Sequence, residues 1–277
     1  MRDTPGVIDD RLGELLAPLR GAPERSAVLL DVDGTLAPIT TRAGDAAVPD
    51  DTRAGIAALA GRFALVACVT GRRTVEARGI VGVDGLHYVG NHGTELLRDG
   101  GEEPEVRPEI AEWEPRVREI AGRLLGEADG PGAADLRLED KGPIQALHWR
   151  GADDEAAAAE RAAEIGRRAE DEGLVLHEGR MVLELRPPVP FDKGAAVRWV
   201  LEEAGDGVDG ALYAGDDRTD VDAFSGLRAL RDEGALDHVV CLAAVDQDAP
   251  ALVADAADAS VDGTDGVREV LEELGRA

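Results

Sequence analysis

Short, unbroken apolar runs alternate along most of the chain with stretches whose apolar residues recur at helical spacing. The runs cover Ala27 to Asp31, Ala64 to Val69, Leu86 to Val89, Ala211 to Ala214, His238 to Leu242 and, more weakly, Ala259 to Val261. They lack polar alternation, which predicts strands covered on both faces, as in a parallel sheet flanked by helices. Helices are predicted over Asp51 to Gly61, Arg72 to Gly79, Lys193 to Glu203, Thr219 to Ala229 and Val267 to Leu274. The fold class is therefore α/β.

The middle of the chain follows a different rhythm. After the stretch Asp99-Gly100-Gly101-Glu102-Glu103-Pro104, the pattern predicts a helix near Pro108 to Gly126 and strands at Asp135 to Glu139 and Ile144 to Arg150. A helix near Asp154 to Glu172 and strands at Leu174 to His177 and Met181 to Arg186 complete an αββαββ order. That order predicts an antiparallel sheet with helices on one face, inserted into the α/β core. The segment ends at Pro187-Pro188-Val189-Pro190, a stiff exit suited to a hinge.

Charge narrows the range of partners. With 57 acidic and 30 basic residues, the formal net charge is −27, which argues against nucleic acid. Only two of the basic residues are lysines, Lys141 and Lys193. An acidic, lysine-poor surface suits molar salt, where screening lengths fall to about 3 Å, so a halophilic host is expected. A GC-rich genome would give the same bias. No apolar run approaches the roughly 18 residues of a membrane span, and the N-terminus carries charges instead of a secretory leader's apolar core. A cytoplasmic protein without a membrane partner, monomeric or weakly oligomeric, is expected. Cys68 and Cys241 lie in apolar runs with no metal-ligand spacing and read as buried thiols.

Candidate chemistry gathers at predicted strand ends, where open α/β sheets bind ligands. Val28-Leu29-Leu30-Asp31-Val32-Asp33-Gly34-Thr35 ends a strand on two carboxylates spaced i, i+2, which places both on one side. Two acids so close call for a compensating cation, and Mg²⁺ suits such ligands. Asp and Gly also fill ordinary turns. Val69-Thr70-Gly71-Arg72 puts a hydroxyl at a strand end before a helix, as a phosphate site or a plain helix cap requires. Phe191-Asp192-Lys193-Gly194 places a lysine in a first helical turn, where the helix dipole disfavours it and another anion must hold it. Gly215-Asp216-Asp217-Arg218-Thr219-Asp220 offers three carboxylates around a turn, or a capped helix with surface acids.

In this order, the four segments resemble the motifs of haloacid dehalogenase (HAD) superfamily phosphatases. GDDRTDVDAF, the GNHGTEL loop at Gly90 to Leu96, LEDKGPIQALHWR and GRMVLELRPP further resemble trehalose-6-phosphate phosphatases, from about Ala27 to the end. Thr70 stands where serine is also common, and Trp149 where tyrosine is usual. The resemblance implies a Rossmann-like core over 1–103 and 188–277 with a C2-type cap over 104–187 that sets substrate specificity, in a stand-alone phosphatase.

It also implies an aspartyl-phosphate route to trehalose. Asp31 would be the nucleophile, Asp33 the acid and base, with Thr70 and Lys193 completing the catalytic set. Mg²⁺ would be held by Asp31, the Asp33 carbonyl and Asp216, with Asp217 and Asp220 in support. Gly34, Gly71 and Arg72 would bind phosphate, while Asn91, His92, Gly93, Glu139, Lys141 and Glu184 would contact the sugar. His92 also suits a loop cap, and His87, His148, His177 and His238 read as structural. The rivals are a phosphatase for another sugar phosphate, such as sucrose phosphate or mannosyl-3-phosphoglycerate, a related phosphomutase, and a non-catalytic sugar-phosphate sensor.

Overall fold

The structure, a computed structural model, describes residues 8–40, 43–179, 181–246 and 250–276. Its strands are β1 (Ser26–Leu30), β2 (Leu65–Val69), β3 (His87–Gly90), β4 (Glu95–Leu97), β5 (Glu105–Val106), β6 (Arg137–Asp140), β7 (Gln145–His148), β8 (Val175–Gly179), β9 (Val182–Arg186), β10 (Gly210–Gly215), β11 (His238–Val245) and β12 (Ala259–Asp262). Its helices are α1 (Asp10–Gly21), α2 (Asp50–Ala60), α3 (Thr74–Val81), α4 (Pro108–Ala111), α5 (Glu114–Glu127), α6 (Glu155–Asp171), α7 (Lys193–Ala204), α8 (Asp220–Asp232), α9 (Ala251–Ala256) and α10 (Gly263–Gly275). The chain divides into two compact units: one formed by its two ends, up to Glu105 and from Phe191, and one by Val106–Pro190.

The first unit is built on a sheet of order β12-β11-β10-β1-β2-β3-β4-β5. Neighbours from β12 to β3 pair in parallel, and β4 runs antiparallel to β3. From β1 the chain winds out to β2 and β3, then returns to lay β10, β11 and β12 on the other side. The strand order therefore reverses beside β1, which opens a crevice beyond the ends of β1 and β10.

Alternate residues of the same strands serve opposite faces. Val28, Leu30, Val66, Cys68, Leu212 and Leu242 pack with Leu12, Leu16 and Leu19 of α1, Ile56 and Leu59 of α2, and Val267, Val270 and Leu271 of α10. Ala27, Leu29, Ala67, Val69, Tyr213 and Cys241 pack with Val197 and Val200 of α7 and Phe224 and Leu227 of α8. Both faces are dry, which explains the unbroken apolar runs. Each fully buried leucine contributes about 1.5–3 kcal/mol.

The second unit is a four-stranded antiparallel sheet of order β6-β7-β9-β8. Leu147, Leu183 and Leu185 project to one face against Val117, Ile120 and Leu124 of α5 and Ala162 and Ile165 of α6. The expected helix at 108–126 is broken into α4 and α5, because Pro115 supplies no N–H and begins a helix more readily than it continues one. The structure also adds α1, the antiparallel β4, the two-residue β5 at the sheet edge and α9 to the expected set.

Candidate functional site

β1 ends at Leu30, so Asp31 and Asp33 lie just beyond the strand and not at its last positions. There the chain turns: the Gly34 N–H donates to the Ala37 carbonyl at 2.8 Å, and Asp33 forms an isolated bridge with Ala37. Asp31 turns inward and is 4% exposed, while the Asp33 side chain keeps 38% of its surface in solvent. The two carboxylates take different partners.

Lys193 Nζ donates to Asp31 Oδ1 at 2.7 Å and to Asp220 Oδ1 at 2.6 Å. These are the anions that hold a lysine against the dipole of α7. Local sequence places it there. The Asp192 carboxylate caps α7 by accepting from the Ala195 N–H at 2.7 Å, which makes Lys193 the first helical residue. α7 and α8 approach closely through two glycines, since a Cβ on Gly226 would fall 2.7 Å from the Gly194 Cα. The start of α7 is thereby drawn to the start of α8, where Asp220 sits.

Asp220 is fully buried and saturated with donors. Beside Lys193 it accepts from the Tyr213 hydroxyl at 2.6 Å and from the backbone N–H groups of Asp216 and Asp217 at 3.0 and 2.9 Å. Burial, followed by the charges of Asp220 and Asp31, holds the Tyr213 phenol well above its usual range, so it serves as a donor. Asp217 is exposed and accepts from the Arg218 N–H.

The carboxylate oxygens of Asp31, Asp216 and Asp220 lie within 4.8 Å of one another. Burial raises the Asp31 carboxyl well above its ordinary value, and Asp220 and Asp216 raise it further against the opposing pull of Lys193. Asp216 is also raised, by burial and then by Asp220, although the Thr35 hydroxyl donates to it at 3.0 Å. For Lys193, burial opposes the charged form, but the Asp220 and Asp31 carboxylates outweigh it and raise its pKa. Three buried carboxylates around one ammonium leave negative charge uncompensated, and an all-oxygen donor set of this kind fits a hard divalent cation. Asp220 has its oxygens committed to donors, so Asp31 and Asp216 are the ones with oxygens to offer. Gly34 makes room for them: at its φ of 81° a Cβ would lie 2.0 Å from Asp216 Oδ2.

Thr70 follows β2 and is buried, and its hydroxyl accepts the Arg72 N–H at 3.2 Å. Arg72 faces Asp33 in a two-point ion pair, with Nε to Oδ2 at 2.6 Å and Nη2 to Oδ1 at 2.7 Å. The loop at 90–96 braces this corner. The Asn91 N–H donates to the Arg72 carbonyl at 2.8 Å and the His92 N–H to the Thr70 carbonyl at 3.0 Å. Asn91 and His92 hold left-handed φ values of 47° and 56°, and the His92 ring lies so close that a Cβ on Gly71 would meet it at 2.6 Å. Gly93, at φ 107°, abuts the Asp192 carbonyl. Buried Glu95 accepts from the Thr74 N–H at 2.6 Å and so caps α3.

In the second unit, register places Glu139, Ala146, Glu184 and His177 in one row across the sheet, on the face opposite the helices. Lys141 Nζ donates to Glu184 Oε1 at 3.1 Å, and Arg186 Nε donates to Glu184 Oε2 at 2.9 Å. His148 Nε2 lies 2.7 Å from Glu139 Oε2, and that contact, ahead of other effects, lowers the Glu139 pKa. Arg186, Tyr213, Thr35 and Glu95 are absent from the residues singled out by sequence. Arg186 carries a readable signal, two residues after Glu184 on one strand; Tyr213 carries none beyond an apolar run.

The sequence pattern described as Trehalose-phosphatase matches residues 29–256. "Probable trehalose-phosphate phosphatase 9" of rice is 34% identical over 238 residues, covering 76% of this chain and 62% of that protein. "Trehalose-phosphate phosphatase" of Mycobacterium avium is 37% identical over 215 residues, covering 75% of this chain and 52% of its own. The chain thus spans less than two thirds of these relatives' length. The C-terminal domain of C. albicans trehalose-6-phosphate phosphatase superposes with a TM-score of 0.70 over 98% of both chains at 22% identity, a likeness of fold.

Proposed function

The chain belongs to the trehalose-phosphatase family, and from that premise we propose that it hydrolyses trehalose 6-phosphate to trehalose and phosphate, the last step of trehalose biosynthesis. The observation that carries this reading is the crevice beside β1, where a buried aspartate is fixed by the ammonium of Lys193 next to a second carboxylate suited to a cation.

A carboxylate oxygen of Asp31 attacks phosphorus, and the bond from phosphorus to the sugar oxygen breaks. Asp33 gives its proton to the departing sugar oxygen. Water then attacks the phosphorus of the aspartyl phosphate, losing a proton to Asp33, and phosphate leaves with Asp31 restored. Lys193 balances the charge of Asp31 and of the phosphoryl group, while the Thr70 hydroxyl and backbone amides about Gly71 hydrogen-bond the phosphoryl oxygens. The N–H of Gly34 is engaged within its turn, so what Gly34 supplies is space for Asp216. Mg²⁺ is the cation we assign to Asp31, Asp216 and the Asp33 carbonyl, where it would neutralise phosphoryl charge. Asp220 supports this set through Lys193 and the 216–217 backbone; Asp217 is a peripheral support.

The unit at 106–190, close to the boundaries 104–187, is proposed as the cap that selects the sugar. Glu139, Lys141 and Glu184 share its polar face with Arg186 and His148, a mixture of donors and acceptors suited to disaccharide hydroxyls. Asn91, His92 and Gly93 are assigned a further sugar contact beside their bracing role. The net charge of −27 and the near absence of lysine support a salt-rich host, and we assign the enzyme to the cytoplasm as a monomer or weak oligomer. No helix among the described residues is long and apolar enough to cross a membrane.

The test is phosphate release with Mg²⁺, at low and molar salt, from trehalose 6-phosphate, sucrose 6-phosphate, mannosyl-3-phosphoglycerate and glucose 6-phosphate. Strong preference for the first, rising with salt, is expected. Turnover of another ester alone would overturn the cap assignment, and binding without turnover would favour a sensor.

A further inference from the structure

Arg72 stands in a segment whose pattern suggests a phosphate ligand, yet its guanidinium is turned elsewhere. The edge formed by Nε and Nη2, which grips planar or tetrahedral anions at two points, is on Asp33 at 2.6 and 2.7 Å. Nη1 reaches Glu76, one helical turn along in α3. The backbone of Arg72 is pinned as well, its N–H donating to the Thr70 hydroxyl and its carbonyl accepting from Asn91. The guanidinium is therefore backed by Glu76, and the main chain behind it is fixed at two points, while the fork holds Asp33 in front. Asp33 needs such a hold, because it lies past the end of β1 on a tight turn and 38% of its side-chain surface is in solvent.

We propose that Arg72 is a positioning residue for Asp33: it aims that carboxyl at the oxygen leaving phosphorus, with Glu76 steadying the guanidinium. This rests on the assignment of Asp33 as the group that protonates the leaving oxygen. The grip spans 39 residues of sequence and joins the turn after β1 to the loop after β2. It thereby sets the distance between the acid and Thr70, which is assigned to the phosphoryl oxygens.

Leaving-group chemistry provides the test. A sugar alkoxide departs only with a proton, whereas 4-nitrophenolate departs without one. The first chemical step is therefore compared as kcat/KM for trehalose 6-phosphate and for 4-nitrophenyl phosphate, with Mg²⁺, in the wild type, Arg72→Gln, Arg72→Lys, Glu76→Gln, Asp33→Asn and Asp33→Asn/Arg72→Gln. Arg72→Gln is expected to lose about 10- to 100-fold on the sugar phosphate and less than about 3-fold on the aryl phosphate, a part of the roughly 10²- to 10⁴-fold that acid catalysis contributes. Arg72→Lys should recover part of the loss, Glu76→Gln should show a smaller loss of the same selectivity, and the double variant should be no worse than Asp33→Asn. Equal losses on both substrates would make Arg72 a phosphate ligand and overturn the proposal, as would unchanged or increased activity on the sugar phosphate. If Asp33→Asn itself fails to discriminate between the esters, the assignment of Asp33 as the acid falls first. Thermal midpoints identify any variant that fails to fold; Arg72→Lys and Glu76→Gln then carry the test.

Discussion

The chain's two lysines, one in each unit, are both held by carboxylates, but with opposite surpluses. In the parallel-sheet unit, Lys193 is 3% exposed and shared between Asp31 and Asp220, with Asp216 alongside. In the antiparallel unit, Lys141 and Arg186 converge on the single carboxylate of Glu184, one on each oxygen. The first cluster has more negative charge than its cation can balance, so it invites a metal ion and then an electrophilic phosphorus. The second sets two cationic donors against an acceptor carboxylate, a mixture that suits hydroxyl groups. On the proposed reading, one residue type serves a reaction in one place and recognition in the other, according to its neighbours. The two sites should fail differently.

The largest difference is expected at Lys193. Lys193→Met leaves buried Asp31 and Asp220 without their counter-ion, and kcat should fall by at least about 10³-fold on every phosphate ester, aryl phosphates included. Steady-state assays with trehalose 6-phosphate and 4-nitrophenyl phosphate check this; a loss confined to the sugar ester would dissolve the distinction between the sites. Glu184→Gln is expected to act the other way, raising KM for trehalose 6-phosphate by about 10-fold while leaving 4-nitrophenyl phosphate within about 3-fold. Equal effects on the two esters would show that the antiparallel unit does not discriminate.

A third effect concerns the surplus charge itself, read through stability instead of turnover. Asp216 is raised from an ordinary 3.8 to about 7 in the folded state, so its favourable contribution, complete below 3.8, is lost as pH rises through 7. Mg²⁺ binds the charged form, so it should relieve the penalty above that range and compete with protons below it. At a fixed concentration near 100 times its dissociation constant at pH 8, Mg²⁺ should add about 3 kcal/mol there and about 1 kcal/mol or less at pH 5.5. Thermal unfolding with and without Mg²⁺ at the two pH values decides; a shift independent of pH would place the cation away from Asp216.

How legible each region was follows from what positions it. Residues at the ends of β1, β2 and β10 and the start of α7 stand within a few positions of an apolar run or a helix start, so their neighbourhood could be read locally. The six expected strands of the first unit lie within three residues of their expected ends, because sheets covered on both faces leave unmixed apolar runs. α1 was harder to see: Leu12, Leu16 and Leu19 have helical spacing, but Gly13 and Pro18 interrupt the pattern. β4 lies inside a segment that reads as a loop, and its pairing with β3 depends on the left-handed turn at Asn91 and His92. The pairing of Arg72 with Asp33 and of Tyr213 with Asp220 arises from folding, and no local pattern announces either. In the antiparallel unit, Glu139, His148 and Glu184 meet through strand register, which neither residue type nor spacing specifies, so His148 reads as structural until the pairing is known.

The central claim is that Asp31 itself takes the phosphoryl group. Its direct test is acid quenching of Asp33→Asn during turnover of 4-nitrophenyl phosphate with Mg²⁺, followed by mass spectrometry of the peptide bearing Asp31. Asp33→Asn retains the nucleophile but lacks the base for the second step, so the predicted result is a phosphoryl adduct on Asp31, absent from Asp31→Asn. An adduct on another residue, or full aryl phosphate turnover by Asp31→Asn with no adduct, would contradict the account.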